Sequence, residues 1–119
     1  MAAPEQLPRA ERAVIAPAKL RDYCLNPEHP TGRNKARVFA SALGIHQADW
    51  QYLADQLLAG VQTAPISRIE VKPDGTGYEV IVSVDGLNGA TAPVKSGWFI
   101  DAEPADAPPR LTSAYVDIP

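Results

Sequence analysis

"ISRIEVKPDGTGYEVIVSV", residues 66–84, decides the fold. Its two ends, "ISRIEV" (66–71) and "YEVIVSV" (78–84), alternate or run β-branched, while "KPDGTG" between them carries the proline, aspartate and glycines of a tight turn. A period of two bounded by turn residues is the signature of an antiparallel hairpin. The same rhythm continues towards the C-terminus. "DGLNGA" (85–90) reads as a second turn, and "APVKSGWFI" (92–100) puts Val94, Ser96, Trp98 and Ile100 on one side of a third strand, with Lys95, Gly97 and Phe99 on the other. The proline-rich "DAEPADAPP" is a loop. "RLTSAYVDI" (110–118) reads as a last strand on which Leu111, Ser113 and Tyr115 share a face.

On the N-terminal side of the hairpin the period lengthens. "ADWQYLADQLLAGV" (48–61) spaces Trp50, Leu53, Ala54, Leu57, Leu58 and Val61 along one helical stripe, and Gly60 marks its end. "RNKARVFASALG" (33–44) places Ala36, Phe39, Ala40 and Leu43 on one face, with Lys35 and Arg37 off it and Gly44 as the stop. "AKLRDYCL" (18–25) has Leu20, Tyr23 and Cys24 at helical spacing and ends at "NP". "NPEHPTG" is a loop, because a residue before proline disfavours helix. The expected fold is therefore α+β, with N-terminal helices packed on one face of a four-stranded antiparallel sheet. Residues 1–16 form an extended lead-in, with "AVIAP" (13–17) lying on the domain, and residues 17–119 form a single α+β domain.

Composition narrows the class. At 119 residues, 45% hydrophobic and 21% charged, the chain has ordinary globular values and the length of one domain with one modest core. Seven of its 12 prolines lie in the tails or the late loop, so they punctuate a folded middle. No apolar run is long enough to span a membrane, the N-terminus lacks the apolar stretch of a secretory signal, and a lone Cys24 rules out an internal disulfide framework. A cytoplasmic protein is the plain expectation, or a domain delivered into the cytoplasm of a target cell. The net charge of −3 hides an asymmetry: residues 1–45 hold seven bases against four acids, a net of +3, and residues 46–119 hold four against ten, a net of −6. The densest positive run is Arg33, Lys35 and Arg37. It marks either an anionic ligand or ordinary helix-surface charge.

"HPTGRNK" (29–35) is the stretch with chemical potential. His29 sits in a proline-bounded loop, where an imidazole can exchange a proton near neutrality or merely cap the helix that follows. Lys35, just inside that helix, can hold a phosphate oxygen or a developing oxyanion, or be solvated. Ser96, Ser113 and Tyr115 can bring hydroxyls together if the last two strands pair, and Arg110 is a candidate phosphate fork. CxxC, HExxH, Walker A, GxGxxG and GxSxG are all absent, and His29 and His46 lack ligand-spaced partners, so no metal site is expected.

"KLRDYCLNPEHPTGRNKARVFASALG" (19–44), with "GWFI" (97–100) and "PRLTSAYV" (109–116), resembles an uncharacterised bacterial domain family. Its members carry His-Pro-x-Gly-x-x-Lys-Ala-x-x-Phe, then Leu-Gly, and end on Pro-Arg-(hydrophobic)-x-Thr-Ala-Tyr. The likeness runs from about Ile15 to Val116. His29, Gly32, Lys35, Phe39, Arg110 and Tyr115 keep the pattern, and Ser96 and Ser113 stand where threonine is usual. That family looks like part of the wider group of barnase, EndoU, colicin and RelE-type folds, which serve as toxin nuclease domains. The resemblance implies metal-independent RNA cleavage, directed at a small substrate such as tRNA, through a 2′,3′-cyclic phosphate and with no cofactor. It casts His29 as acid or base, Lys35 as stabiliser of phosphorane charge, and Ser113, Tyr115 or Ser96 as phosphate-orienting hydroxyls. Arg110 would be an outer phosphate contact, with Arg33 and Arg37 on the substrate-facing basic helix. The implied partners are RNA and a cognate antitoxin or immunity protein. The competing reading is a non-catalytic binding module that keeps the fold, in which "HPTGRNK" is a structural turn.

Overall fold

Hairpin pairing dominates the observed architecture. In the computed structural model, which describes residues 5–118, strands β1 (Ile66–Lys72), β2 (Gly75–Asp85), β3 (Thr91–Asp101) and β4 (Arg110–Val116) form one antiparallel sheet in the order β1-β2-β3-β4. The first hairpin is tighter than its sequence suggests. Lys72 pairs with Gly75, so the turn is Pro73–Asp74 and both glycines of "DGTG" belong to β2. Gly75 has to be glycine there, because a Cβ would run into the Ile100 carbonyl and the Phe99 ring of β3.

The helices precede the sheet and cover one face of it. α1 (Pro17–Lys19) runs straight into a π-helical turn, Leu20–Cys24, whose wider loop closes with the Leu25 N–H donating to the Leu20 carbonyl at 2.8 Å. α2 (Arg33–Leu43) buries Ala36, Phe39 and Leu43, and α3 (Trp50–Gly60), entered through a 3-10 turn at Gln47–Asp49, buries Leu53, Ala54 and Leu57. Phe39, Leu43, Leu53, Ala54 and Leu57 of these meet Val80, Val82 and Val84 of β2, Val94 and Trp98 of β3, and Leu111, Ala114 and Val116 of β4 in one hydrophobic cluster. Each fully buried Leu, Val or Phe contributes about 1.5–3 kcal/mol, so this layer carries most of the favourable free energy of folding.

The lead-in belongs to the same body. Leu7 and Ala10 are buried in the core cluster, Gln6 bridges Pro65, and Val14 makes a parallel bridge to Arg110. No helix among the described residues is long and apolar enough to cross a membrane.

One expectation fails at β4, for a definite reason. The register runs Gly97 to Ser113 and then Trp98 to Leu111, leaving Thr112 as an extra residue. This bulge resets the alternation. Leu111, Ala114 and Val116 face the core and Tyr115 lies on the outer face, so Leu111 and Tyr115 do not share a side.

Candidate functional site

Where the π-turn, the "HPTG" loop, the first turn of α2 and β4 meet, the chain assembles a cluster from four segments. Gly32 makes it possible: a Cβ there would collide with the Tyr23 carbonyl and press on the Tyr23 ring, so only glycine lets the loop fold back this closely. Tyr23 is thereby sandwiched. Its ring meets the His29 imidazole edge-on, with centroids 4.9 Å apart, and its hydroxyl accepts a 2.9 Å hydrogen bond from Lys35 Nζ. Lys35 then borders a groove of about 310 Å³ with Asn34, Val38, Tyr115 and Val116. Tyr115 continues the surface to Lys95, whose ammonium lies 5.7 Å from its ring centroid. The Tyr115 hydroxyl oxygen accepting from its ammonium, reinforced by the charges of Asp117 and Glu79, holds Lys95 more basic than an ordinary lysine.

His29 is placed differently from an acid–base residue. Its Nδ1 accepts hydrogen bonds from the backbone N–H groups of Thr31 (3.1 Å) and Gly32 (3.0 Å), with Thr31 Oγ1 at 3.2 Å. Two backbone donors on Nδ1 fix the ring proton on Nε2. The nitrogen that a general base would use for its lone pair is therefore committed to holding the loop, and His29 positions the turn against Tyr23.

The strand hydroxyls separate. Ser96 is fully buried on the core face, donating to the Val80 carbonyl at 2.7 Å and accepting from Trp98 Nε1 at 2.9 Å. It cannot touch a substrate, and it lies on the opposite face of the sheet from Tyr115. Ser113, at the bulge, is half-buried and does not line the groove. Arg110 is not a free phosphate fork: Asp101 holds it through two contacts of 3.2 and 3.3 Å, and it stacks 5.2 Å from the Phe99 ring centroid. It stands five residues from Tyr115 along β4, roughly 16 Å away. Arg33 and Arg37 line a separate groove on the other flank of α2. The sequence patterns thus brought Lys35, His29 and Tyr115 into one neighbourhood, and Ser96, Arg110, Arg33 and Arg37 into others.

Residues 6–118 match the model of a family described as a domain of unknown function, DUF6883. The chain belongs to this family. No curated protein and no solved structure gives a match. What the DUF6883 fold adds to the motif is Tyr23. Its helical spacing beside Leu20 and Cys24 reads as core packing, and only the folded chain shows its hydroxyl turned to Lys35. Among the described residues no three His, Cys, Asp or Glu side chains come together as a metal site.

Cys24, next to Tyr23, supplies a check on this geometry. Its thiol is completely buried and takes a 3.4 Å hydrogen bond from the Ala114 N–H, and burial pushes its pKa up. A folded value above the unfolded one means that its contribution to stability is complete below the ordinary thiol range and is lost as pH climbs through the folded value. A thiol reagent at neutral pH is expected to label the native protein at least about a hundredfold more slowly than the urea-unfolded chain. Equal labelling of both would show the π-turn open in solution.

Proposed function

We propose that this domain cleaves RNA without a metal, by attack of a ribose 2′-OH on the adjacent phosphorus. The observation that carries the reading is the Lys35–Tyr23 pair, a 2.9 Å hydrogen bond at the edge of a groove that Lys35 shares with Tyr115. The reaction requires the pair to be one proton short, with Tyr23 as phenolate facing the Lys35 ammonium. Tyr23 takes the 2′-OH proton as the 2′ oxygen bonds to phosphorus. Lys35 neutralises the charge that builds on the phosphorane and hands a proton to the 5′ oxygen as the P–O5′ bond breaks. A 2′,3′-cyclic phosphate and a 5′-hydroxyl result, and a proton passing from Tyr23 to Lys35 along their hydrogen bond restores the pair. Tyr115 donates to a non-bridging phosphate oxygen, and His29 keeps the Tyr23 ring in place. This moves acid–base work from His29, the residue the motif emphasises, to its aromatic neighbour.

The test is incubation of purified protein with total RNA and with tRNA in excess EDTA, followed by mapping of the ends. Cleavage that leaves cyclic phosphates is the expected result. Intact RNA at high protein concentration, or ends bearing 3′-hydroxyls, overturns the reading. The double backbone capping by His29 Nδ1 favours the second reading, a non-catalytic binding module. Intact RNA together with tight RNA binding that depends on Lys35 would select it.

A further inference from the structure

The other flank of α2 carries a feature that RNA cleavage does not use. A groove of about 690 Å³ runs between α2, the 25–28 loop and the 3-10 turn before α3. Its floor is small and apolar, formed by Leu25, Pro27, Ala36, Ala40 and Ala48, and one wall presents Arg33 and Arg37. These arginines are one helical turn apart. Both are exposed, and among the described residues neither makes an ion pair. Six other basic side chains are tied to acids: Arg12 to Asp106, Arg21 to Asp22, Arg68 and Lys72 to Glu70, Lys95 to Glu79 and Asp117, and Arg110 to Asp101. Arg9, Lys19 and Lys35 also make no ion pair among the described residues, but they are partly buried where Arg33 and Arg37 are exposed.

We infer that this groove docks an acidic amphipathic helix of a partner protein. The three alanines of the floor admit close approach of a helix bearing leucine-type side chains, as helix-in-groove recognition requires. Carboxylates one turn apart on that helix match the spacing of Arg33 and Arg37, and guanidinium forks bind carboxylates through paired hydrogen bonds. Nucleic acid fits less well. Single-stranded RNA is held by aromatic platforms on which successive bases stack, and the lining of this groove has no Phe, Tyr or Trp, His46 being its one aromatic ring.

The site is distinct from the Lys35–Tyr23 pair, so either assignment can fail without the other. The probe is a fluorescein-labelled amphipathic peptide with glutamates one turn apart beside a leucine stripe. The same peptide with lysines in place of the glutamates, and a labelled single-stranded RNA, serve as comparisons. Anisotropy is expected to show binding of the acidic peptide alone, weakened about tenfold or more by Arg33→Ala with Arg37→Ala. Ala48→Glu, an exposed change that leaves both arginines intact, is expected to weaken it similarly, whereas Lys35→Ala leaves it unchanged. Absence of binding, binding indifferent to these groove changes, or RNA binding that alone depends on the two arginines would each overturn the inference.

Discussion

Trp98→Ala is expected to lower the thermal midpoint by roughly 10–20 °C, corresponding to a loss of about 3–5 kcal/mol. Trp98 is 1% exposed, sits on β3 between Tyr78 of β2 and Leu111 of β4, and is the largest of the fully buried side chains. Its removal leaves a cavity in a layer hemmed by paired strands, which collapses poorly. It also strips a donor from Ser96, whose hydroxyl links the indole to the Val80 carbonyl. Domains of this size have only about 5–15 kcal/mol in hand, so the variant stands near the edge of folding. Trp98→Phe separates the contributions. It keeps most of the volume and leaves the Ser96–Val80 bond intact, and the smaller ring and lost indole donor are expected to cost about half as much. Circular-dichroism melts of both variants make the measurement. A shift below about 3 °C for Trp98→Ala would mean that the core lies elsewhere.

The hairpin at 66–84 was legible because its two periods are local properties. Alternating Val and Ile around a proline–aspartate turn need no tertiary information, and the stripe from Trp50 to Val61 declares its helix in the same way. Thr112 was not legible. Whether a strand carries an extra residue depends on what its neighbour offers, and "RLTSAYV" contains no glycine or proline to mark a bulge. One unseen residue then inverted the parity on which Leu111, Ser113 and Tyr115 had been grouped. The lead-in was partly legible: "AVIAP" does touch the domain, but the burial of Leu7 and the bridge from Val14 to Arg110 are long-range events that no local window records.

The candidate site divides along the same line. "HPTGRNK" announced a tight loop and a lysine at a helix start, and both are present. The identity of the nitrogen that binds the loop was hidden, because it depends on where two backbone N–H groups point after the turn closes. Ser96 looked like a strand hydroxyl available for chemistry, yet alternation along β3 already placed it on the side of Trp98. A buried hydroxyl next to a buried indole is more readily a hydrogen-bond partner than a ligand for substrate.

Lys35→Ala is the substitution expected to act most strongly on function. If Lys35 meets the phosphorane, its loss should reduce single-turnover RNA cleavage by about 10²–10³-fold, the range found when one preorganised charge-stabilising group is removed. The fold should tolerate the change. Lys35 is only half-buried, and its one hydrogen bond goes to a tyrosine hydroxyl that water can serve, so the melting midpoint is expected to move by no more than about 5 °C. Lys35→Arg discriminates between the roles assigned to this side chain. A guanidinium still neutralises charge but surrenders no proton near neutrality, so charge stabilisation alone would leave most of the rate, whereas proton transfer to the 5′ oxygen would leave little. Tyr23→Phe adds the matching half: it removes the hydroxyl proposed to take the 2′-OH proton, while the ring remains in place against His29. If Lys35 and Tyr23 act as one pair, the double variant is expected to lose no more than the worse single one. Losses that multiply would mean that the two residues contribute separately, and the hydrogen bond between them would then be a packing detail of the loop.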